Sequence, residues 1–237
     1  MPTPRNRITA IGLELEGGWT AIPPGPVFQD PREPGSGREI IKRDGSVRLE
    51  GRDLHVGEVV SAPLPDTEAA TAWLRANYPQ AGNNTCGFHI HISLPSLHYS
   101  RLMNEEFNNK FLSAMEVFWE ERRGNPGFDL FRSRLDGQNR YCQKIFRPEE
   151  QLWRTEHYGD HAVVPRYSQL NYCWGRHGTM ECRLFPYFPR VADAIAAVEI
   201  FTGCVNSFLA TVRPEAPYKF DVTFDPNKIS THTNVSA

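Results

Sequence analysis

The chain has 237 residues, of which 40% are hydrophobic and 23% charged, and its formal net charge is −2. This length suits one large domain, and so small a charge gives no broad signal for binding nucleic acid or a membrane. Five cysteines without a C-x-x-C pair argue against a disulfide scaffold or a zinc finger. Because neither a signal-peptide pattern nor a run of about 18 apolar residues occurs, we expect a cytoplasmic protein without a membrane span.

The N-terminal segment predicts a strand, a loop and a turn. Residues 7–16 alternate as a strand that ends at Gly17-Gly18, and residues 20–38 are crowded with proline and glycine. A loop of this length is typical of functional or disordered segments. Residues 40–43 predict a short strand, and Asp44-Gly45-Ser46 predicts a turn.

Two helices and two strands are predicted in the next part of the chain. Residues 56–61 and 86–93 have the alternation of strands. Asp66 is a predicted N-cap for a helix that runs to about Asn77. A second helix is predicted from about residue 100 or 104 to 123, with aromatic residues at helical spacing.

The C-terminal half predicts a hairpin followed by a long helix. Residues 128–166 are irregular and rich in arginine. Residues 167–173 and 179–185 alternate and are joined by a connection that contains two glycines, which predicts a hairpin. An apolar stripe predicts a helix over 191–211.

We therefore predict one domain over residues 1–213 and a polar tail over 214–237. Strands interrupted by helices, with hairpins rather than strict β-α-β alternation, favour an α+β fold with a mostly antiparallel sheet. One face of this sheet is expected to be packed by helices.

Polar side chains repeat on one face of each predicted strand, while apolar side chains occupy the other face. Such a pattern predicts a polar floor of glutamate, histidine and arginine, because isolated solvated pairs or salt bridges do not explain the same design on several strands. The residues concerned are Glu14 and Glu16; Glu58; His89, His91 and Ser93; and Thr179, Glu181, Arg183 and Phe185.

Two carboxylates on one half-buried strand face repel each other unless one is protonated or a cation lies between them. A set dominated by carboxylate oxygens suits Mg²⁺ or Mn²⁺, and imidazole nitrogens favour Mn²⁺ or Zn²⁺. Several arginines nearby match a metal–polyphosphate site. Because the sequence has no P-loop or Rossmann glycine pattern, we expect metals and arginines to hold any phosphates on the sheet face.

In their order and spacing, six segments together resemble the amidoligase family, the carboxylate–amine ligases related to glutamine synthetase and glutamate–cysteine ligase. The resemblance covers about residues 8–205. The segments are Gly12-Leu13-Glu14-Leu15-Glu16, Asp44-Gly45-Ser46, Gly57-Glu58-Val59-Val60-Ser61-Ala62-Pro63, Gly87-Phe88-His89-Ile90-His91, Arg166-Tyr167-Ser168-Gln169-Leu170-Asn171 and Gly178-Thr179-Met180-Glu181-Cys182-Arg183-Leu184-Phe185.

This resemblance implies a glutamine-synthetase-like catalytic fold, a curved antiparallel sheet that carries divalent cations between ATP and substrate. It implies ATP and Mg²⁺ (or Mn²⁺) as cofactors and amide formation through an acyl phosphate. The substrates would be a small-molecule, peptide or protein carboxylate and an amine. The sequence leaves their identity and the oligomeric state open.

Site roles follow from the resemblance by motif. Glu14, His89 and Glu181 are expected to bind the cation beside the nucleotide phosphates, and Glu16 and Glu58 the cation beside the substrate. The remaining expected roles are catalysis for Arg183, Arg166 and Asp44, and nucleotide binding for His91, Arg183, Arg140 and Asn171.

Three other functions fit the same residues. A zinc or manganese hydrolase would use His89, His91 and a glutamate. A non-catalytic module would keep the fold as a binding platform, and a related enzyme would transfer phosphoryl to a nitrogen acceptor without ligation.

Overall fold

A computed structural model of the chain describes residues 7–27, 40–51, 53–95, 98, 100–148, 151 and 167–211. Most of the predicted proline- and glycine-rich loop, part of the arginine-rich segment with Arg166, and the predicted tail at 214–237 lie outside the described residues.

Five strands and five helices account for the regular structure of the described residues. The strands are β1 Ala10–Trp19, β2 His55–Val60, β3 Gly87–Ser93, β4 Leu170–Cys173 and β5 Thr179–Pro186. The helices are α1 Thr67–Asn77, α2 Glu105–Glu120, α3 Phe128–Leu135, the single turn α4 Trp174–His177 and α5 Val191–Thr211, with a 3-10 turn at Ser100–Leu102 before α2.

The strands form one sheet in the order β2-β1-β3-β5-β4, and every neighbouring pair is antiparallel. The predicted hairpin is confirmed as β4 and β5, joined through α4. The α+β class with an antiparallel sheet is therefore confirmed.

Helices pack on one face of the sheet, as predicted. Helix α5 contacts α1, α2 and β3, and α3 contacts β5. Between these layers lie apolar side chains with 0–1% exposure, among them Leu13, Ile90 and Phe201. By length and composition alone α5 could cross a membrane, but half of its apolar window is buried within the protein, as in a core helix.

Helix starts follow the capping chemistry of the sequence. The Asp66 carboxylate accepts a hydrogen bond from the Ala69 amide at 2.8 Å, which confirms the predicted N-cap of α1. The Asn104 side chain caps α2 in the same way, with the Phe107 amide as donor at 2.8 Å.

Three predictions of secondary structure are wrong in part. Strand β1 continues through Gly17 and Gly18, where a side chain on Gly17 would meet the Pro79 ring at 2.6 Å, so this glycine permits close packing rather than ending the strand. Around residues 40–43 the chain makes a single bridge from Lys42 to Glu58 instead of a strand. Helix α3, which the sequence prediction missed, buries Phe128 and Phe131.

Phe185 lies on the core face of the sheet and not on the polar floor with Arg183, which corrects the predicted alternation. It stands opposite Phe88 in the ladder and stacks on Phe131 with ring centroids 5.7 Å apart. Between the pairs Phe88–Phe185 and Ile90–Cys182, β3 has one residue and β5 has two, so β5 carries a bulge. The extra residue shifts the alternation by one position.

Replacing Phe185 by alanine should lower the free energy of unfolding by about 3–5 kcal/mol, because a buried aromatic ring leaves a cavity. Val117→Ala, at a side chain that is 55% exposed, is the control and should change stability by less than about 0.5 kcal/mol. Urea unfolding followed by circular dichroism measures both. If Phe185→Ala and Val117→Ala both lower the free energy of unfolding by the same small amount, the Phe185 side chain lies on the polar floor and not in the core.

Candidate metal centre

The polar floor is built by cross-strand pairs of the antiparallel sheet. Glu16 stands directly opposite Glu58 on β2, and Glu14 stands opposite His89 on β3. His91 stands opposite Glu181 on β5. Opposite positions share a face, so strand register brings the predicted ligands together.

The first cluster consists of Glu14, His89 and Glu181, which each offer one ligand atom within 4.8 Å of the others. The His89 Nδ1 atom lies 3.0 Å from Glu14 Oε2 and 3.6 Å from Glu181 Oε1. These are the three residues predicted for one cation, and the structure brings all three together.

Positive neighbours keep both carboxylates of this cluster ionised. Burial raises the pKa of Glu14, but the charges of His91 and His89, together with the hydrogen bond between His89 and Glu14, outweigh it and hold this pKa well below the ordinary range. Burial also raises the pKa of Glu181, whereas Arg183, His91 and His89 lower it, which leaves it at about 2.

His91 lies beside the first cluster. Its Nδ1 atom is 3.0 Å from the Thr179 hydroxyl, and its Nε2 atom is 3.0 Å from Glu14 Oε1. The second contact is not aligned as a hydrogen bond, so among the described residues this buried nitrogen has no hydrogen-bond partner. A buried nitrogen of this kind fits contact with a bound metal or phosphate.

The second cluster consists of Glu16, Asp44 and Glu58, again with ligand atoms within 4.8 Å of one another. Glu16 is 7% exposed and accepts a hydrogen bond from the Gly87 amide. The Asp44 carboxylate accepts from the Ser46 amide at 2.6 Å and from the Ser46 hydroxyl at 2.7 Å, which confirms the predicted turn. Asp44, predicted to be catalytic, thus lies with the predicted metal ligands of this cluster.

The pKa of Glu58 reflects the negative charge of the second cluster. Burial and the charges of Glu14, Glu16 and Asp44 raise its pKa well above the ordinary range, and Lys42 lowers it only in part. Negative groups therefore dominate this position. A divalent cation would neutralise them and favour the ionised form of Glu58.

Arg183 connects the first cluster to the edge of the floor. Its Nη1 atom pairs with Glu181 Oε1, and its Nε atom donates to the Tyr141 carbonyl at 3.4 Å. Burial opposes the charge of Arg183, but Glu181 and Glu14 raise its pKa above the ordinary range. The Asn171 amide donates to Glu181 Oε2 at 2.9 Å, so Asn171 is bound to a predicted metal ligand.

Two predicted arginines are not brought to the clusters by the described contacts. Arg140 is exposed and lies over the Tyr141 ring, 4.4 Å from its centroid, and no contact among the described residues joins it to either cluster. Arg166 lies outside the described residues.

Sequence reasoning missed two neighbours of the clusters. Cys173 Sγ lies 3.6 Å from Glu181 Oε2, although the sequence suggested only a small buried side chain. Gly87 supplies the amide that holds Glu16, and a backbone donor of this kind leaves no side-chain signal. Its position at the start of β3, beside the His89 pattern, was the only indication.

The donor set fits Mg²⁺ or Mn²⁺ best. Among the described residues, five carboxylates and one imidazole, that of His89 in the first cluster, make up the two groups of candidate ligands.

No protein-family model, curated protein or solved structure matches this chain. Function is therefore inferred from the residues and their geometry, and the resemblance to amidoligases stays a prediction.

Glu58→Gln should stabilise the metal-free protein at pH 7.5 by roughly 1 kcal/mol, or about 2–4 °C in Tm, because it removes one of the crowded charges. A raised pKa favours the native state at low pH and costs stability as pH rises through it, so the gain should vanish toward pH 4. The same variant should gain less in Tm from Mn²⁺ than the unchanged protein, because only its first cluster stays intact.

Calorimetry in chelator and in Mn²⁺ measures both effects. Glu199→Gln, at an exposed position in the interior of α5, is the control and should leave both values unchanged. If Glu58→Gln destabilises the metal-free protein, the neighbouring carboxylates do not repel Glu58.

Gly87→Ala should weaken Mn²⁺ binding at least about tenfold. Its Cβ would lie 2.7 Å from His89 Nε2 and 3.1 Å from Glu16 Oε2, so one residue of each cluster must move. Isothermal titration measures the affinity. Gly203→Ala in α5, whose Cβ meets no atom within 4 Å, is the control. Equal Mn²⁺ affinities in the two variants would show that Gly87 does not lie against the metal ligands His89 and Glu16.

Proposed function

We propose that the protein is an ATP-dependent carboxylate–amine ligase that forms an amide through an acyl phosphate. The observation that carries this proposal is the pair of carboxylate-rich clusters that share one sheet face beside Arg183. Two neighbouring cation sites next to a guanidinium suit the transfer of a phosphoryl group between two anions. The resemblance to amidoligases supports the choice of ligation.

Divalent cations at the two clusters would neutralise the charge of ATP phosphates and of the substrate carboxylate. Glu14, His89 and Glu181 would hold the cation on the nucleotide side, and Glu16 and Glu58 the one on the substrate side. Because the first cluster includes a histidine and borders Arg183, it has the mixed charge that suits phosphate oxygens.

In the first step, a carboxylate oxygen attacks the γ-phosphorus of ATP, and ADP leaves. The amine nitrogen then attacks the acyl carbon, phosphate leaves, and the nitrogen loses a proton. The Arg183 guanidinium would meet the charge that develops on the transferring phosphoryl group. Asp44 would orient the amine, since its carboxylate lies in the more negative of the two clusters.

Glu16→Gln and Arg183→Ala should each lower ADP formation about 10²–10³-fold, because each removes a charge that acts in phosphoryl transfer. The assay measures ADP by mass spectrometry with ATP, Mg²⁺ and pooled carboxylic acids and amines. Arg132→Ala is the control, because Arg132 pairs with Glu116 and Asp136 on the helical side and should keep full activity.

Unchanged turnover in both variants would refute the proposal. Hydrolysis without ATP by protein purified with a bound transition metal would instead support the zinc or manganese hydrolase. A product phosphorylated on nitrogen, without an amide, would identify the phosphotransferase.

A further inference from the structure

The bulge in β5 determines which way Arg183 points. Phe185 and Cys182 both lie in the core, although they are three positions apart. A regular strand counted back from Phe185 would direct Arg183 into the core as well. Because the bulge supplies one extra residue, Arg183 reaches Glu181 on the polar floor while Phe185 stays buried.

A bulge interrupts the ladder and leaves backbone carbonyls that need other donors. Arg134, at the end of α3, supplies them. Its Nη1 atom donates to the Phe185 carbonyl at 2.9 Å and to the Arg183 carbonyl at 3.2 Å. The side chain approaches from the core and is only 5% exposed.

The same guanidinium also reaches the strand beside the second cluster. Arg134 Nη2 donates to the Cys86 carbonyl at 3.2 Å. The next residue, Gly87, gives its amide to Glu16 Oε2. The Arg134 guanidinium therefore links the β5 backbone at Arg183 to the backbone at Cys86–Gly87, where the Gly87 amide binds Glu16.

A buried arginine that binds only carbonyls is costly, and an apolar side chain would fill the same core position. Arg134 is nonetheless held in place, because Gln169 donates to the Arg134 carbonyl at 2.7 Å and to the Leu135 carbonyl at 2.8 Å. Gln169 thus fixes the end of α3 from which the guanidinium extends.

We propose that Arg134 is a positioning residue for the site, which clamps the β5 bulge and the Cys86–Gly87 backbone and so sets the places of Arg183 and Glu16. The role in catalysis rests on the proposed function, whereas the backbone geometry does not. Arg134 touches neither cluster directly; it acts through the residues that do.

The first test measures the Gly87 amide, which needs no metal or substrate. Full-length protein labelled with ¹⁵N-glycine and ¹⁵N-isoleucine is compared as wild type, Arg134→Met and Arg132→Met. In Arg134→Met, hydrogen exchange of the Gly87 amide should be at least about tenfold faster relative to the Ile90 amide, because local opening exposes this bond. Arg132→Met, two residues away on the same helix, should leave that ratio within twofold.

The second test measures Mn²⁺ affinity by electron paramagnetic resonance on the same proteins and on Arg134→Lys. Arg134→Met should bind Mn²⁺ about 10–100-fold more weakly, as expected when the backbone that positions a metal ligand is loosened. Arg134→Lys should show an intermediate loss, since one ammonium cannot serve three carbonyls in the fork geometry of a guanidinium.

The outcomes separate the two proposals. Equal acceleration of the Gly87 and Ile90 amides in Arg134→Met would reduce Arg134 to a general stabiliser and overturn the inference. If wild type binds no Mn²⁺, the proposed function fails, and the exchange ratio still decides the role of Arg134. If Arg134→Met does not fold, Gln169→Met shifts the end of α3 with Arg134 retained, and the same ratio decides: a tenfold rise supports the inference, and no change refutes it.

Discussion

The β1–β2 register holds Glu16 and Glu58 directly opposite each other, and the polar floor depends on this register. Like charges in this position destabilise a sheet. The register is nevertheless fixed, because the other face of the same strands carries Leu13, Leu15 and Val59 into the core at 0–1% exposure. A slip of one residue would exchange the two faces of a strand, so core burial keeps the carboxylates together.

The two clusters balance their charge in different ways. Around Glu14 and Glu181 the protein supplies its own partners, two histidine rings and the Arg183 guanidinium. Around Glu58 the neighbours are mainly carboxylates, and Lys42 offsets them only in part. Charge balance in the first cluster is therefore internal, whereas negative groups remain in excess in the second cluster. The difference arises because Glu14 lies opposite His89 on β3, whereas Glu16 lies opposite Glu58 on β2.

Sequence alternation predicted the shared face of the cluster residues wherever the ladder is regular. Glu14, His89 and His91 share one face as predicted, because β1 and β3 pair without interruption at those positions, and Glu16 joins them through the regular pairing of β1 with β2. The prediction failed at Phe185, since a bulge adds a residue that no periodicity reveals. The grouping of Asp44 with Glu16 and Glu58 depends on the long-range bridge from Lys42 to Glu58, and the role of Gly87 depends on a backbone amide. Helix α3 was missed because two turns within an irregular, arginine-rich segment give a weak pattern.

In the proposed reaction the internal balance of the first cluster has a mechanistic consequence. In this arrangement the Arg183 guanidinium forms an ion pair with Glu181, so it is not available to bind a phosphate. A cation bound by Glu14, His89 and Glu181 would take over that carboxylate, and the Arg183 guanidinium would then be free to turn to the transferring phosphoryl group. Metal binding and arginine activation would become one event, because both compete for Glu181 Oε1. The β5 bulge makes this exchange possible, since it holds Arg183 on the floor beside Glu181 rather than in the core.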